Sequence, residues 1–306
     1  MRPRAIATLL FAFAWLLGAL PWRVLYRAGD AVAWLWRRLD ARESRVARRN
    51  LELALPALSA EARAALHGAV LRTTARQALE TLRFWTRPHA ANLALIREIE
   101  GAALFDAALA GGRGLIVAAP HYGNWELLNQ WLATRTPLAI LYRPPESEIG
   151  EAFLQRARAD AGDRVTQIPA EGSAVRHLFK RLREGGVVGI LPDQQPKAGD
   201  GEFAPFFGVP ALTMSLLPRL AARSGATVLF AYCERIDWSP AFRLRIEAAP
   251  AGIDDADAKV GVAALDVAVE AIARRDLAQY QWTYKRYTLR PSGRGEDNPY
   301  RDIERR

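Results

Sequence analysis

Cysteine is almost absent from this sequence, and its scarcity excludes two classes of protein. The 306 residues contain one cysteine, Cys233, so no disulfide can form within the chain. Cys233 ends the apolar run "ATVLFAYC", which favours a buried thiol over a nucleophile. No cysteine and histidine residues have the spacing of metal ligands. We therefore expect neither a disulfide framework nor a metal site.

Acidic residues are fewer than basic ones, which limits the kinds of molecule that the protein surface is expected to bind. The net charge is +9 and the isoelectric point about 10.1. A basic surface favours anionic partners such as nucleic acid, an acidic protein or anionic lipid. The arginines are spread along the whole chain, without a glycine-rich basic tract or an RNP-like aromatic motif. We therefore expect no nucleic-acid partner.

Charge is absent altogether from residues 5–22, "AIATLLFAFAWLLGALPW", which follow the basic "MRPR". This length is at the short end for a bilayer span. A signal peptide is the alternative, but no small-x-small cleavage site follows in "PWRVLYR". Arginines and aromatic residues then alternate, as suits lipid headgroups: Trp22, Arg23, Tyr26, Arg27, Trp34, Trp36, Arg37 and Arg38. We predict an uncleaved membrane anchor over residues 1–22.

The rest of the chain divides into a helical part and an alternating part. Residues 23–100 show the apolar spacing of helices, with Ser59 as a predicted N-cap. From about residue 101, short apolar runs (114–119, 137–142, 185–191, 226–232, 242–247) alternate with helical patterns (124–134, 148–160, 173–184, 213–224, 258–276). This order predicts an α/β fold with a mostly parallel or mixed sheet flanked by helices. Residues 23–290 form the predicted catalytic domain, and 291–306 a polar, poorly ordered tail.

The stretch "PHYGNWE", residues 120–126, joins a predicted strand to a predicted helix. His121 follows the strand directly, at the edge of the sheet where ligands bind in such folds. Asn124 suits the N-cap of the helix, which places Glu126 in the first turn. A turn at 120–123 would let Glu126 fold back, fix the His121 tautomer and leave the other ring nitrogen as a general base. An unrelated loop histidine beside a helix carboxylate is the alternative.

Other charged residues follow predicted strands. Arg143 comes after the second strand in "LYRPP", Arg156 and Arg158 share the next predicted helix, and Asp193 follows the third strand in "GILPDQ". Arginines suit phosphate groups or a developing oxyanion, although each could equally be a surface charge. The segment 206–221, "FFGVPALTMSLLPRLA", is predicted as core, with an acyl-chain groove as the alternative.

The order of these motifs resembles a known family. A hydrophobic N-terminus, "APHYGNWE", "YRPP", "LPDQ", "PFFGVPA" and "QYQWTYKRYTLRP" occur in that sequence. The chain resembles the lipid A biosynthesis late acyltransferases of the lauroyl and myristoyl type, within the wider H-x4-D/E glycerolipid and lysophospholipid acyltransferases. The resemblance extends from the N-terminus to about residue 291.

The resemblance implies a reaction and a place for it. An acyl chain would move from acyl-carrier protein to a hydroxyl of a 3-hydroxyacyl chain on a Kdo-lipid A precursor, without a metal or other cofactor. His121 would act as the base and Glu126 would orient it, while Arg143, Arg156, Arg158 and Asp193 would bind substrate or brace the site. The catalytic domain would lie on the cytoplasmic side of the bacterial inner membrane.

The resemblance also has a departure, and other functions stay open. Where the family often has a histidine in a "W-x-H-R-R" stretch, this chain has "WTYKR", which leaves the role of residues 282–286 open. Relatives with the same motif acylate other polar lipids, so another glycolipid, aminolipid or lysophospholipid is the first alternative. A non-catalytic, membrane-tethered lipid-binding protein is the second.

Overall fold

The N-terminal third of the protein is a layer of helices. The computed structural model describes residues 3–142, 144–145, 147–157, 164–170, 174–237, 239–292 and 297–304. Its first five helices are α1 (Pro3–Gly18), α2 (Trp22–Arg38), α3 (Arg42–Ala54), α4 (Ala60–Thr86) and α5 (His89–Leu93). The side chain of Ser59 accepts a hydrogen bond from the Ala62 amide at 3.1 Å, so the predicted N-cap of α4 is confirmed.

The apolar segment 5–22 is not one continuous helix. Helix α1 ends at Gly18, and the guanidinium of Arg83 donates to the carbonyl oxygens of Gly18 (2.7 Å) and Leu20 (2.9 Å). Pro21 then precedes α2, which leaves α1 at an angle of 111°. Among the described residues no single helix is long and apolar enough to cross a bilayer. Helices α1 and α2 meet the criteria of length and composition only as a bent pair.

The core of the molecule is a seven-stranded sheet. Its strands are β1 (Ile96–Glu100), β2 (Leu115–Ala118), β3 (Leu138–Tyr142), β4 (Val165–Pro169), β5 (Val187–Ile190), β8 (Thr227–Arg235) and β9 (Phe242–Ala248). Their order across the sheet is β1-β9-β8-β2-β5-β3-β4. Neighbouring strands run parallel except β8 and β9, which are antiparallel. This confirms the prediction of a mostly parallel or mixed sheet.

Helices cover both faces of the sheet, as a largely parallel sheet requires. They are α6 (Ala102–Ala110), α7 (Trp125–Arg135), α8 (Glu148–Ala157), α9 (Ala174–Arg183), α10 (Leu216–Ser224) and α11 (Ala258–Ala273). In β2, Leu115 and Val117 belong to one buried apolar cluster, whereas Ile116 and Ala118 belong to the other. The central strands are therefore apolar throughout, and for that reason the sequence predicts them well.

Two stretches of the chain differ from the sequence prediction. Residues 96–100, predicted as helix, form the edge strand β1, because they pair in parallel with β9. The helix predicted from residue 213 begins at Leu216, because β6 (Gly201–Phe206) and β7 (Val209–Met214) form an antiparallel hairpin. Phe207 and Gly208 at its tip both have positive φ values, +52° and +75°, as a tight two-residue turn demands.

The C-terminal segment runs back across the molecule. A 3-10 turn, Leu277–Gln279, precedes it, and helix α12 (Arg301–Glu304) follows it. Tyr300 is fully buried, and its hydroxyl donates to the side-chain oxygen of Asn50 in α3. The segment 291–306, predicted as a polar tail, thus contains a residue whose ring packs into the main core.

Candidate active site

The loop 119–124 carries His121 from the end of β2 to the start of α7. The side chain of Asn124 accepts from the Leu127 amide at 3.2 Å, so it caps α7 as predicted. The Asn124 amide in turn donates to the Cys233 carbonyl at 2.7 Å. Gly123 has a φ of +62°, and a Cβ there would lie 2.0 Å from the Cys233 carbonyl oxygen. Only glycine therefore fits where this loop crosses β8.

Asp193 is the carboxylate that holds the His121 ring. Strands β2 and β5 are parallel neighbours with Ala118 paired to Ile190, and each functional residue comes three positions later. His121 Nδ1 lies 2.8 Å from Asp193 Oδ1, and the His121 backbone amide donates to Asp193 Oδ2 at 3.0 Å. Both residues are buried, with 2% of Asp193 exposed. The carboxylate thus fixes both the backbone and the ring of His121.

Asp193 is held in its ionised form. Burial alone would raise the pKa of this carboxyl, but the contacts with His121 and the charge of Arg286 outweigh it and bring the pKa below the usual range. An ionised carboxylate accepts hydrogen bonds only, so Nδ1 must carry the proton. The lone pair of the ring then lies on Nε2, which is the arrangement that a general base needs.

The Nε2 side of the ring faces half-buried polar groups. The side-chain nitrogen of Gln194 lies 3.1 Å from Nε2, and that nitrogen also donates to Gln281 Oε1 at 3.2 Å. Trp125 approaches the imidazole edge-on, with 4.9 Å between ring centroids. Sequence reasoning missed Gln194 and Gln281, although both lie inside the motifs "LPDQ" and "QYQW".

The segment 279–286 contacts both the loop that carries His121 and the carboxylate of Asp193. The Gln279 carbonyl accepts from the Gly123 amide at 3.1 Å, and the Gln281 amide donates to the His121 carbonyl at 3.0 Å. Between them, the buried hydroxyl of Tyr280 hydrogen-bonds to the Asp193 carboxylate. Burial and the Asp193 charge raise the pKa of Tyr280 well above its usual value, so it stays a donor.

The "WTYKR" stretch, whose role the sequence left open, has a structural contact at its last residue. The buried guanidinium of Arg286 donates to the Leu212 carbonyl at 2.6 Å and forms an ion pair with Asp266 in α11 at 3.3 Å. Arg286 also donates to the Thr213 hydroxyl. It thereby ties the C-terminal segment to β7 and α11 and places a positive charge behind Asp193.

A second buried network holds the loop from the other side. Glu80 of α4 is fully buried and accepts from the Asn124 amide group at 3.1 Å, from the Tyr26 hydroxyl at 3.0 Å and from Arg235 Nε at 2.8 Å. The Arg235 backbone amide donates to Gln279 Oε1 at 2.7 Å. The N-terminal helices, the end of β8 and the C-terminal segment therefore meet at the cap of α7.

Glu126 lies in the first turn of α7, as predicted, and is buried. It borders a small cavity together with Trp85, His89 and Gln130. Among the described residues, the hydrogen bonds of the His121 ring go to Asp193 and Gln194. The direct pairing of Glu126 with His121 therefore stays a prediction, and Asp193 is the carboxylate that the structure places on Nδ1.

Of the three predicted arginines, the structure describes Arg156. Arg156 is exposed on α8, where its guanidinium stacks 4.6 Å from the Phe11 ring centroid and lies 3.4 Å from the Thr8 hydroxyl of α1. Its role in substrate binding stays a prediction. Arg143 and Arg158 lie outside the described residues.

Two other predictions concern packing. In the segment 206–221, the core interpretation is confirmed: Phe206, Phe207, Ala211, Leu217, Leu220 and Ala221 are buried in the main apolar cluster. Cys233 is also buried, as predicted, and burial raises the pKa of its thiol. It is therefore a packed side chain and not a nucleophile.

Comparison with known proteins identifies the family. The family of bacterial lipid A biosynthesis acyltransferases matches residues 2–288. The lipid A biosynthesis palmitoleoyltransferase of Escherichia coli (strain K12) is 27% identical over 283 residues, 91% of this chain and 90% of that protein. The lauroyltransferase of the same organism is 25% identical over 280 residues, with the same coverage. This chain belongs to the bacterial lipid A biosynthesis acyltransferase family, and it is an acyltransferase.

A more distant relative acts on a different lipid. The phosphatidylinositol mannoside acyltransferase of Mycobacterium tuberculosis is 29% identical over 141 residues, which is 45% of this chain and 44% of that protein. The match extends over less than half of each chain.

Proposed function

We propose that this acyltransferase moves a fatty acyl chain from acyl-carrier protein to a hydroxyl of a Kdo-lipid A precursor, on one of its 3-hydroxyacyl chains. One observation carries the chemical part of the proposal. His121 has Nδ1 held by an ionised carboxylate at 2.8 Å, so the lone pair of the ring lies on Nε2, which faces the polar side chain of Gln194. The names of the full-length relatives support the acceptor.

The reaction needs no enzyme nucleophile. The acceptor hydroxyl gives its proton to His121 Nε2 while its oxygen attacks the thioester carbonyl carbon, which forms a tetrahedral oxyanion. When the carbon–sulfur bond breaks, the leaving thiolate takes the proton from Nε2. Asp193 stabilises the imidazolium that exists between these two steps. A thioester is reactive enough to need neither ATP nor a metal ion.

The N-terminal helices supply the proposed contact with the inner membrane, on its cytoplasmic side. On α1, Leu9, Phe13 and Leu16 lie on one face and are each about 60% exposed, at 59%, 61% and 60%. On α2, Trp34 is 66% exposed, and Arg37 and Arg38 follow it in the last turn. Exposed apolar side chains beside arginines suit anionic lipid headgroups. Helix α8, which follows β3 at the catalytic edge, packs against α1 through Phe153 and Phe11. This packing would bring the lipid surface close to the site.

Mass spectrometry of the lipid product tests the proposal. Purified protein would be incubated with Kdo-lipid A precursor and a mixture of acyl-carrier-protein thioesters. We expect a mass gain of one acyl chain that is lost in His121→Ala and kept in His177→Ala, a matched change on the exposed surface of α9. No gain beside an active control enzyme would exclude this acceptor.

The mycobacterial match supports a second candidate, in which the acceptor is another polar glycolipid. The same assay on total membrane lipid distinguishes it, because the acylated species would then appear in a different lipid fraction. A non-catalytic lipid-binding protein would give no product in either assay, and His121→Ala would leave its lipid binding unchanged.

A further inference from the structure

We propose that Gln194 is a catalytic residue that stabilises the oxyanion: its side-chain amide rests on His121 Nε2 before substrate binds and then donates to the carbonyl oxygen of the attacked thioester. The inference rests on the proposed acyl transfer, but it does not depend on which lipid accepts the chain. It assigns a function to a residue for which the sequence alone predicted none.

The hydrogen bonds fix the orientation of this amide. Asp193 is ionised and accepts a hydrogen bond from the Nδ1–H group, so Nε2 has only a lone pair to offer. The group 3.1 Å from Nε2 must therefore be a donor, and the NH2 group of Gln194 is the one in place. Its second hydrogen is directed to Gln281 Oε1 at 3.2 Å.

Gln281 is itself fixed to the catalytic loop. Its backbone amide donates to the carbonyl of His121 at 3.0 Å, and the neighbouring Tyr280 pairs with Tyr122 in an antiparallel bridge. Gln281, which holds the Gln194 amide, is thus attached to the same loop as His121. One N–H of Gln194 stays held by Gln281, while the other is the group that substrate must displace.

When substrate binds, it displaces the Gln194 N–H from Nε2, close to the place where the thioester oxygen becomes negative. The acceptor hydroxyl must donate to Nε2 before it can attack, so it replaces Gln194 there. The displaced N–H of Gln194 then lies one hydrogen-bond length from the oxygen of the acceptor hydroxyl. When this hydroxyl oxygen attacks the thioester carbonyl carbon, the carbonyl oxygen also comes within hydrogen-bond distance of that N–H. The N–H, no longer bound to Nε2, donates to the oxygen as it becomes negative, and the site does not have to reorganise further.

Two substitutions separate this role from a structural one. In Gln194→Ala the oxyanion loses a donor, so we expect kcat to fall about 10²–10³-fold with KM little changed. In Gln194→Glu a carboxylate faces Nε2 and favours its protonated form, so the acid limb of the kcat/KM profile should move to higher pH.

Gln195→Glu is the matched control, since it makes the same change one residue later. Gln195 uses its side-chain oxygen to accept from the Leu289 amide at 2.8 Å, and glutamate keeps that oxygen. We expect its kcat and its pH profile to match the wild type. A kcat for Gln194→Ala within about twofold of the wild type would overturn the inference, whatever the acceptor, as would a loss that appears only in KM.

An assay without a lipid acceptor separates this inference from the proposed function. Slow hydrolysis of the acyl thioester by water uses the same base and the same oxyanion. If the wild type acylates none of the offered lipids, the proposed acceptor fails, but hydrolysis by Gln194→Ala should still be at least about tenfold slower. Nitrogen-15 NMR of the histidines over a series of pH values should also show His121 Nε2 binding its proton at a higher pH in Gln194→Glu than in the wild type. Equal hydrolysis rates, or an Nε2 signal unchanged by Gln194→Glu, would overturn the role of Gln194.

Discussion

At the scale of single residues, the partner of His121 comes from the neighbouring strand. Asp193 lies 72 positions away in sequence, yet both residues follow paired positions at the ends of β2 and β5. Glu126 is only five positions away, in the first turn of α7, and its pairing with His121 stays a prediction. The register of the sheet brings together two functional residues that are distant in sequence.

Asp193→Asn should damage catalysis more than Glu126→Gln does. The asparagine NH2 group would face Nδ1, so the proton would move to Nε2 and the base would be lost. We expect kcat to fall about 10²–10⁴-fold, with binding of the lipid retained. Single-turnover acyl transfer, with both variants measured side by side, checks this. A larger loss in Glu126→Gln would mean that Glu126, and not Asp193, orients the base.

Asp193 should also make the free energy of unfolding depend on pH in the acid range. Its pKa is lowered in the folded protein, chiefly by His121, so the folded state binds this proton less tightly than the unfolded chain does. The stabilisation is therefore fully present above the ordinary aspartate pKa of about 3.9 and disappears as the pH falls through the lower folded value. Urea unfolding at neutral and acid pH measures it: the stability gap between the wild type and Asp193→Asn should narrow in acid. If the stability difference between the two proteins did not change with pH, protonation of Asp193 would not be coupled to unfolding.

At the scale of elements, the active-site loop is held by helices and strands that are distant in sequence. Helix α4 supplies Glu80, strand β8 supplies Arg235 and helix α2 supplies Tyr26. The carboxylate of Glu80 is fully buried and accepts hydrogen bonds from Tyr26, Arg235 and Asn124. The charge on Arg235 is equally buried and depends on Glu80 for compensation.

Glu80→Gln should destabilise the fold strongly, because it leaves the Arg235 charge buried without a counter-charge. Breaking such a pair costs about 3–5 kcal/mol of unfolding free energy. Urea denaturation followed by circular dichroism measures the change. Glu184→Gln is the control, since Glu184 is 62% exposed beside Lys180 and should change the unfolding midpoint little. Equal midpoints for the two variants would contradict the role of Glu80.

The sequence predicts the central strands of the fold well and its periphery poorly. Strands β2, β3, β5 and β8 are buried on both faces, so each appears in the sequence as a continuous apolar run. Strand β1, "IREIE", has mostly exposed side chains and exists because β9 lies beside it. The β6–β7 hairpin lies outside the main sheet. The pairing of β1 with the distant β9 leaves no local signal, which is why the sequence does not predict β1.

The candidate site likewise combines residues that the sequence predicts with residues that it does not. His121 and Asp193 are predictable because each follows a recognisable strand. Tyr280 and Gln281 lie between a 3-10 turn and an irregular stretch, and their contacts with the histidine loop are long-range. Their roles depend on how the C-terminal segment folds back, which no spacing within the segment encodes.

At the scale of the whole molecule, the exposed apolar face of α1 should control membrane binding. The variant with Phe13→Asp and Leu16→Asp loses two apolar side chains that would otherwise enter lipid, so we expect vesicle affinity to fall at least about tenfold. Flotation with vesicles that contain anionic phospholipid measures it. Val267→Asp is the control, because Val267 is 63% exposed on α11, away from these helices. Equal flotation of all variants would exclude α1 as the membrane contact.

The C-terminal segment also has a consequence for how the enzyme is made. A ribosome delivers the apolar helices α1 and α2 first, then the loop with His121, and only much later Tyr280 and Gln281, which fasten that loop. Tyr300 then reaches back to Asn50, a residue synthesised near the start. The nascent chain can thus meet the membrane long before its base is aligned. We expect the enzyme to be silent throughout translation and to become active only once nearly all of the protein has emerged.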